Sequence, residues 1–338
     1  MDSLSQIVLG AAVGEAILGK KIGRQAALWG AIAGTIPDLD VFASKFLPYI
    51  DALAFHRGFT HSMIFALLCS ILLSPIANFF YKKKFNTIFM DWFLLFFWGL
   101  FTHALLDCHT TWGTQLFWPS EFRLSLSAIF VVDPLYTLPF LTLLVVALFY
   151  NKDSRIRRRL NYTGLTISCL YLLSALGLKN SVHHKFEANL KDNNIAYSQI
   201  EIRPTPFNTL LWTANIETEK SFLIGHYSIL DSIIQPKYTS YPKKHYLLNK
   251  YTENEELQKI LKIMKGNFIV QHKGKDLLLS DLRFGKMYFG EDNSPFVFNT
   301  LLEISNNKIQ AIKEANPTRE KERINNSLSL LWNRIKGN

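Results

Sequence analysis

Several familiar functional signatures are missing from this 338-residue sequence. Its three cysteines, Cys69, Cys108 and Cys169, have no paired spacing, which argues against a disulfide framework or a cysteine-ligated zinc knuckle. There is no HExxH pair, no GxxxxGK[ST] phosphate loop and no GxSxG nucleophile elbow. No internal repeat suggests a secondary transporter. These absences disfavour the zinc metalloproteases, the P-loop enzymes and the serine hydrolases.

Long apolar runs dominate the first 180 residues. Each of four runs is close to the roughly 20 residues that a helix needs to cross a bilayer core. We therefore predict four long membrane spans, at 62–81, 87–107, 128–150 and 160–178. Two shorter segments, 4–19 and 26–42, are rich in glycine and alanine and predict two short helices packed into the same bundle.

The chain has a net charge of +10, and basic residues in its first half cluster in short loops between these runs. Such a distribution follows the positive-inside rule and argues against a nucleic-acid partner. If the basic loops are cytoplasmic, the chain after the fourth span lies outside the cytoplasm. The loop residues are Lys20, Lys21, Arg24, Lys82, Lys83, Lys84, Arg155, Arg157, Arg158 and Arg159.

Acids and histidines occur in pairs within this apolar sequence. An ionisable group inside a membrane helix costs roughly 2.5–3.5 kcal/mol on insertion scales, so several together need compensation. The orientation derived from lysine and arginine alone brings all of them to the outer membrane face. The six residues are Asp38, Asp40, His56, His61, His103 and Asp107.

Imidazole and carboxylate groups in this pattern favour a divalent metal, with zinc preferred and manganese or iron as alternatives. His103 and Asp107 are four residues apart and share one helix face. Asp38 and Asp40 follow Pro37, which predicts an irregular turn. Arg57 is suited to hold an anionic substrate group, and Gly58 permits a turn beside it. A proton relay or a hydrogen-bond network is the alternative to a metal.

Other polar residues have simpler interpretations. We expect His109 to be an interfacial anchor, Asp133 to begin a helix, and Glu15 to pack or to pair with a basic loop. His183 and His184 fall where the apolar region ends and are expected to anchor that junction.

Residues 181–338 form a second predicted domain, following a membrane domain at 1–180. Alternating patterns predict strands at 198–204, 209–219, 221–229 and 296–304, and a hairpin of 267–272 with 276–284 around Lys273 and Gly274. Helical spacing predicts helices at 253–265 and 319–335. The fold class is thus an α-helical membrane bundle followed by an extracytoplasmic α+β domain with a mostly antiparallel sheet.

The motifs AGTIPDLD, HRGFTHS, HALLD with TTWGTQLFWP, and VVDPLYTLP together resemble the YdjM-like family of predicted bacterial membrane-bound metal-dependent hydrolases. The resemblance covers roughly residues 1–145 and continues weakly into 203–212. It implies a metal-dependent hydrolase, with Asp38, Asp40, His56, His61, His103 and Asp107 carried over by motif. Many broader relatives have a histidine near the N-terminus where this chain has Gln6.

The expected function is hydrolysis of a lipid or envelope ester or phosphoester at the outer membrane face, with Asp38, Arg57 and His61 as catalytic residues. Membrane lipids are the expected partners. The alternative is a non-enzymatic envelope protein whose metal or polar site stabilises the bundle that displays the C-terminal domain.

Overall fold

Helices account for most of the first 192 residues, and β-strands appear only after them. The computed structural model describes residues 1–232, 236–291 and 293–337. Its N-terminal helices are α1 (Ser3–Ile22), α2 (Arg24–Ala33), α3 (Asp40–Ser44), α4 (Tyr49–Phe55), α5 (Met63–Phe85), α6 (Phe89–Cys108), α7 (Pro134–Phe149) and α8 (Arg155–Asp192).

Three of these helices, α5, α6 and α8, are long and apolar enough to cross a membrane. The count rises to four if α2 and the following turn with α3, bent by 42°, form one broken span. Helix α7 is apolar but has only 16 residues, so the single long span predicted for 128–150 was wrong in extent. Asp133 ends the irregular segment there and caps α7, accepting a hydrogen bond from Leu135 N.

Helix α1 is longer than the sequence predicted, at 20 residues, and it packs against α2 through glycines. A Cβ atom added at Gly10 would lie 2.3 Å from the carbonyl oxygen of Gly30, and one at Gly14 would lie 2.3 Å from that of Ala26. The two backbones therefore touch, which only residues without a side chain allow.

A buried ion pair joins the first and the eighth helix. Arg157 Nε and Nη2 each donate to a carboxylate oxygen of Glu15 at 2.6 Å, and both side chains are almost completely buried. Asn161, one turn further along α8, donates to the carbonyl oxygen of Ala12. Glu15 thus pairs with a residue of the basic segment 155–159, as one of the two expectations had it, but this segment belongs to helix α8 and is not a loop.

The C-terminal region contains two four-stranded antiparallel sheets. One has the order β1 (Gln199–Pro204), β2 (Leu211–Glu217), β3 (Ser221–Ser228) and β4 (Tyr238–Pro242); the other has the order β5 (Phe268–Lys273), β6 (Asp276–Lys286), β7 (Phe296–Ser305) and β8 (Lys308–Glu314). Helices α9 (Glu255–Met264) and α10 (Lys321–Ile335) confirm the two predicted helices. The predicted strands are present, and β4 and β8 are additional to them.

The chain divides into two compact units. One comprises Met1–Phe46, Phe55–Leu178 and Pro206–Thr209, and the other comprises Leu47–Ala54, Lys179–Thr205 and Leu210–Asn338. Within the second unit, Leu53 packs against the hydrophobic core of α9 and the β5–β8 sheet, and Tyr49 Oη lies 3.2 Å from Thr300 Oγ1.

Candidate metal centre

Four of the six predicted ligands converge on one point. Their donor atoms all lie within 4.8 Å of one another. The atoms that face each other are Asp38 Oδ1, His61 Nε2, His103 Nε2 and Asp107 Oδ2.

Irregular backbone brings the first two of these residues to the site. Pro37 lies in a 3₁₀ turn (Ile36–Leu39) between α2 and α3, as the sequence predicted, and this turn carries Asp38. A second 3₁₀ turn (Phe59–His61) carries His61 immediately before α5. Ser62 ends that turn and caps α5 by accepting a hydrogen bond from Phe65 N.

Arg57, rather than Gly58, adopts the left-handed conformation in the loop before α5, with φ 58°. Its backbone N–H donates to Asp40 Oδ2 at 2.9 Å, at the point where the chain turns between α4 and α5. Gly58 lies in the same turn with φ −89° and ψ −121°, and its role beside the site stays a prediction.

The other two donors share one face of α6. His103 and Asp107 are four residues apart near its C-terminal end, and both side chains are fully buried. Lys82–Lys84 lie in the last turn of α5, whereas His61 precedes its first turn. The four donors are thus at the opposite end of α5 from this basic cluster.

The separations between donor atoms suit a tetrahedral ion. His61 Nε2 lies 3.2 Å from His103 Nε2, 3.3 Å from Asp38 Oδ1 and 3.4 Å from Asp107 Oδ2. His103 Nε2 lies 3.5 Å from Asp38 Oδ1 and 3.7 Å from Asp107 Oδ2. An ion with ligand distances of about 2.0–2.1 Å would hold its donors about 3.3–3.4 Å apart.

Hydrogen bonds on the far side of each imidazole decide which nitrogen is protonated. His103 Nδ1 lies 2.6 Å from the carbonyl oxygen of Gly34, which can only accept, so Nδ1 carries the proton. Thr60 donates to Asp40 Oδ2 at 3.2 Å, so its oxygen accepts from His61 Nδ1 at 3.0 Å. In both neutral rings Nε2 is left with a lone pair.

The Oδ2 atom of Asp107 is buried and accepts no hydrogen bond from the described part of the chain. Arg57 Nε lies 3.0 Å away as an ion-pair partner. The other oxygen, Oδ1, accepts from Gln6 Nε2 at 2.9 Å and contacts the amino group of Met1. A buried carboxylate oxygen aimed at two imidazole lone pairs fits a cation ligand, because such atoms are normally hydrogen-bonded.

The remaining two predicted ligands, Asp40 and His56, are not part of this group of four donors and contact the residues around it. His56 Nδ1 is 3.1 Å from Asp40 Oδ1, and Asp40 holds the loop of residues 56–61 through Arg57 N and Thr60. Sequence reasoning gave these two the same role as the inner four. It also missed Gln6, Thr60, Thr110 and the Gly34 carbonyl as supporting groups.

A second group with potential ligand atoms, His183, His184 and Glu187, lies on α8 in the second unit. His184 Nδ1 and His183 Nδ1 lie 3.1 and 3.4 Å from the same oxygen of Glu187, and all three side chains are substantially exposed. Exposed neighbours on one helix surface form such hydrogen bonds without a metal. The predicted anchoring role of these histidines stays a prediction.

The apolar helices and the buried polar site define a multi-helix membrane protein with a potential metal centre. The family described as YdjM inner membrane protein matches residues 1–182, more than half of the chain. The protein therefore belongs to this family of inner membrane proteins, as the resemblance of its motifs indicated.

Two curated proteins are similar to the chain. The Bacillus subtilis (strain 168) protein YfhP, an uncharacterized protein, is 26% identical over 258 residues, which cover 69% of this chain and 71% of that protein. Inner membrane protein YbcI of Escherichia coli (strain K12) is 34% identical over 89 residues, which cover 26% of this chain and 49% of that protein. No solved structure gives a significant match.

Proposed function

We propose that the protein is a metal-dependent hydrolase of the inner membrane that acts on a lipid or envelope phosphoester. The observation that carries the proposal is the convergence of four acceptor atoms, two from imidazoles and two from carboxylates, within 4.8 Å. Four lone pairs repel one another unless a cation lies among them. Nitrogen and oxygen donors at these separations favour zinc, with manganese or iron as alternatives.

Asp38, His61, His103 and Asp107 would hold the ion, and Asp40 would orient His61 through Thr60. A divalent ion there would act as a Lewis acid on a phosphoryl oxygen and lower the pKa of bound water. The side chain of Asp38 is 27% exposed while the other three are fully buried, so substrate would approach beside Asp38.

Arg57 supports an anionic substrate. Its Nε faces Asp107 and its Nη1 donates to Thr110 Oγ1 at 2.7 Å. No described residue accepts a hydrogen bond from Nη2, which leaves this nitrogen for a phosphate oxygen. We propose Asp38, Arg57 and His61 as the residues in contact with substrate.

The proposed membrane side follows from the basic loops. If Lys82–Lys84 face the cytoplasm, the site at the other end of α5 meets lipid head groups of the outer leaflet. The chain after α8 would then lie outside the cytoplasm.

The complete burial of three of the four donor side chains favours a second candidate, a non-enzymatic protein in which a structural metal holds the bundle together. Under this alternative the ion stabilises the helices and no substrate reaches it.

The first experiment is elemental analysis of the full chain purified in detergent, comparing wild type with His61→Ala and Asp107→Asn. His109→Ala is the matched control, because among the described residues the His109 ring bonds the carbonyl oxygen of Leu105 alone and lies outside the cluster. We expect about one ion per chain in wild type and control, and loss of the ion in the two site variants.

Hydrolysis of phospholipid vesicles then separates the two candidates. Turnover that disappears in Asp38→Asn, with folding retained, supports the hydrolase. Bound metal without turnover, and a lower unfolding temperature in His61→Ala, supports the structural role. Wild-type protein that takes up no zinc, manganese or iron would overturn both.

A further inference from the structure

Arg203 in the C-terminal unit is a buried cation that has no ion-pair or hydrogen-bond partner within the part of the chain that the structure describes. Only 8% of the surface of this residue is exposed. Among the described residues, none forms an ion pair or a hydrogen bond with its guanidinium group. The neighbouring arginines differ, because each forms a bidentate ion pair: Arg283 with Asp281, and Arg334 with Asp231.

The position of Arg203 in its sheet is well defined. Arg203 on β1 pairs with Thr213 on β2, which pairs with His226 on β3, so the three side chains form a row on one sheet face. Thr213 Oγ1 lies 3.0 Å from His226 Nδ1. Asn215, on the same face, donates to the carbonyl oxygen of Leu282 on β6, so this face is turned towards the second sheet.

A glycine of the second sheet leaves room beside Arg203. Gly285 has φ +74°, and a Cβ atom added there would lie 3.6 Å from Arg203 Nη2. The next residue, Lys286, adds a further positive charge and packs its Nζ 5.1 Å from the ring centre of Tyr241. The backbone thus approaches the guanidinium group without covering it with a side chain.

The charged groups that act on His226 in this row are cations. Burial together with Arg203, Arg334 and Lys286 lowers the pKa of His226 to about 3. Burial also lowers the pKa of Arg203 to about 10, and the carboxylates of Glu201 and Asp281 only partly oppose this shift. A buried charge that is left unpaired is costly, so an added anion would be stabilising here.

We propose that Arg203, with Thr213, His226 and Lys286 beside it, binds a singly charged oxyanion between the two sheets. One unpaired guanidinium group matches one negative charge, and its planar fork matches the two oxygens of a carboxylate or a phosphodiester. The ligand would carry one of these groups. This site is separate from the candidate metal centre and does not depend on it.

The test is amide hydrogen exchange of the full chain in detergent, read on peptides covering β1–β3. Sodium acetate represents the carboxylate, sodium dimethyl phosphate represents the phosphodiester, and sodium chloride at equal ionic strength is the reference. At ten times the dissociation constant, we expect exchange in these strands to slow about tenfold. If only one of the two anions slows exchange in β1–β3, the ligand carries the group which that anion represents. If both slow it, the site binds singly charged oxyanions of either kind.

Arg203→Gln should abolish this protection, whereas Arg319→Gln, an exposed arginine outside the sheets, should retain it. Exchange of β5–β8 in chloride checks that Arg203→Gln is folded. If that variant does not fold, Arg203→Lys replaces it. A lysine keeps the positive charge but cannot bind an oxyanion in a bidentate geometry, so the anion should slow exchange less than in wild type. The proposal is wrong if neither anion protects wild type, or if protection survives in the folded glutamine variant.

Discussion

His61 Nε2 and His103 Nε2 face each other at 3.2 Å, and in neither neutral ring does this nitrogen carry the proton. The two histidines come from different elements, the 3₁₀ turn before α5 and the end of α6. Their tautomers are fixed from outside the cluster, by Gly34 O and by Thr60. A pair of lone pairs at this distance is stable only with a cation or a proton between them.

Thr60→Val should weaken metal binding, because it removes the oxygen that receives the His61 Nδ1 proton and links it to Asp40. Loss of such an orienting partner typically lowers metal affinity about 10–100-fold. Competition with a fluorescent zinc chelator measures the affinity. Thr60→Ser keeps the hydroxyl group and should bind nearly as tightly as wild type. Equal affinities in both variants would show that Thr60 does not orient the ligand.

Gly30→Ala should destabilise the bundle, because the added Cβ would lie 2.2 Å from the carbonyl oxygen of Gly10. Overpacking of this kind usually costs about 1–3 kcal/mol. Thermal unfolding of the full chain in detergent measures the change. The matched variant is Gly177→Ala in α8, where a Cβ meets nothing within 4 Å and alanine is the better helix former. A Gly30→Ala protein as stable as Gly177→Ala would contradict the close helix packing.

Arg157→Met should be among the most damaging single substitutions, because it leaves the buried carboxylate of Glu15 unpaired. Breaking a buried pair costs about 3–5 kcal/mol, whereas replacing both partners by apolar groups is often neutral. The double variant Glu15→Leu/Arg157→Met should therefore recover most of the lost unfolding free energy. If the two substitutions were simply additive, the pair would not be coupled as the structure indicates.

The stability of the C-terminal unit should fall on acidification below about pH 6.5. The pKa of His226 is lowered to about 3 in the folded unit by burial and by Arg203, Arg334 and Lys286, whereas an unfolded histidine titrates near 6.5. The unfolded chain thus binds the proton first, so stability is complete above pH 6.5 and decreases as the pH drops towards 3.

The expected loss at pH 5 is about 1–2 kcal/mol. Amide hydrogen exchange of peptides covering β2, where Trp212 is buried, follows unfolding of this unit in chloride buffer. His226→Gln cannot titrate and should have a flatter acid profile. An unchanged profile in that variant would assign the acid sensitivity to other groups.

The sequence predicted the helical bundle well because long apolar runs carry a strong signal. It overestimated the span at 128–150, because hydropathy does not register the irregular backbone that ends at Asp133. Strand β8 was missed although Asn306 and Asn307 precede it, both with positive φ, as in the two-residue turns typical of hairpins. Strand β4 is short and polar, with Tyr238 and Pro242 at its ends, and gives no clear alternation.

Residue type and spacing identified the six polar residues, but could not show which four of them place donor atoms at the candidate metal centre. The i, i+4 pair of His103 and Asp107 was readable from the sequence, since a helix fixes that geometry. Which of Asp38 and Asp40 points inwards depends on a 3₁₀ turn and on the hydrogen bond that Arg57 N–H donates to Asp40, and no periodicity encodes either. The carbonyl oxygen of Gly34 carries no side-chain signal at all.

Gly34 ends the helix whose backbone lies against Gly10, and its carbonyl oxygen fixes the proton on His103. A methyl group inserted between α1 and α2 would therefore alter which ring nitrogen presents a lone pair to the cluster. In a mutational survey, these glycines would be as intolerant of change as the histidines. Intolerance to substitution in this bundle would thus report the spacing of two backbones as much as the chemistry of a side chain.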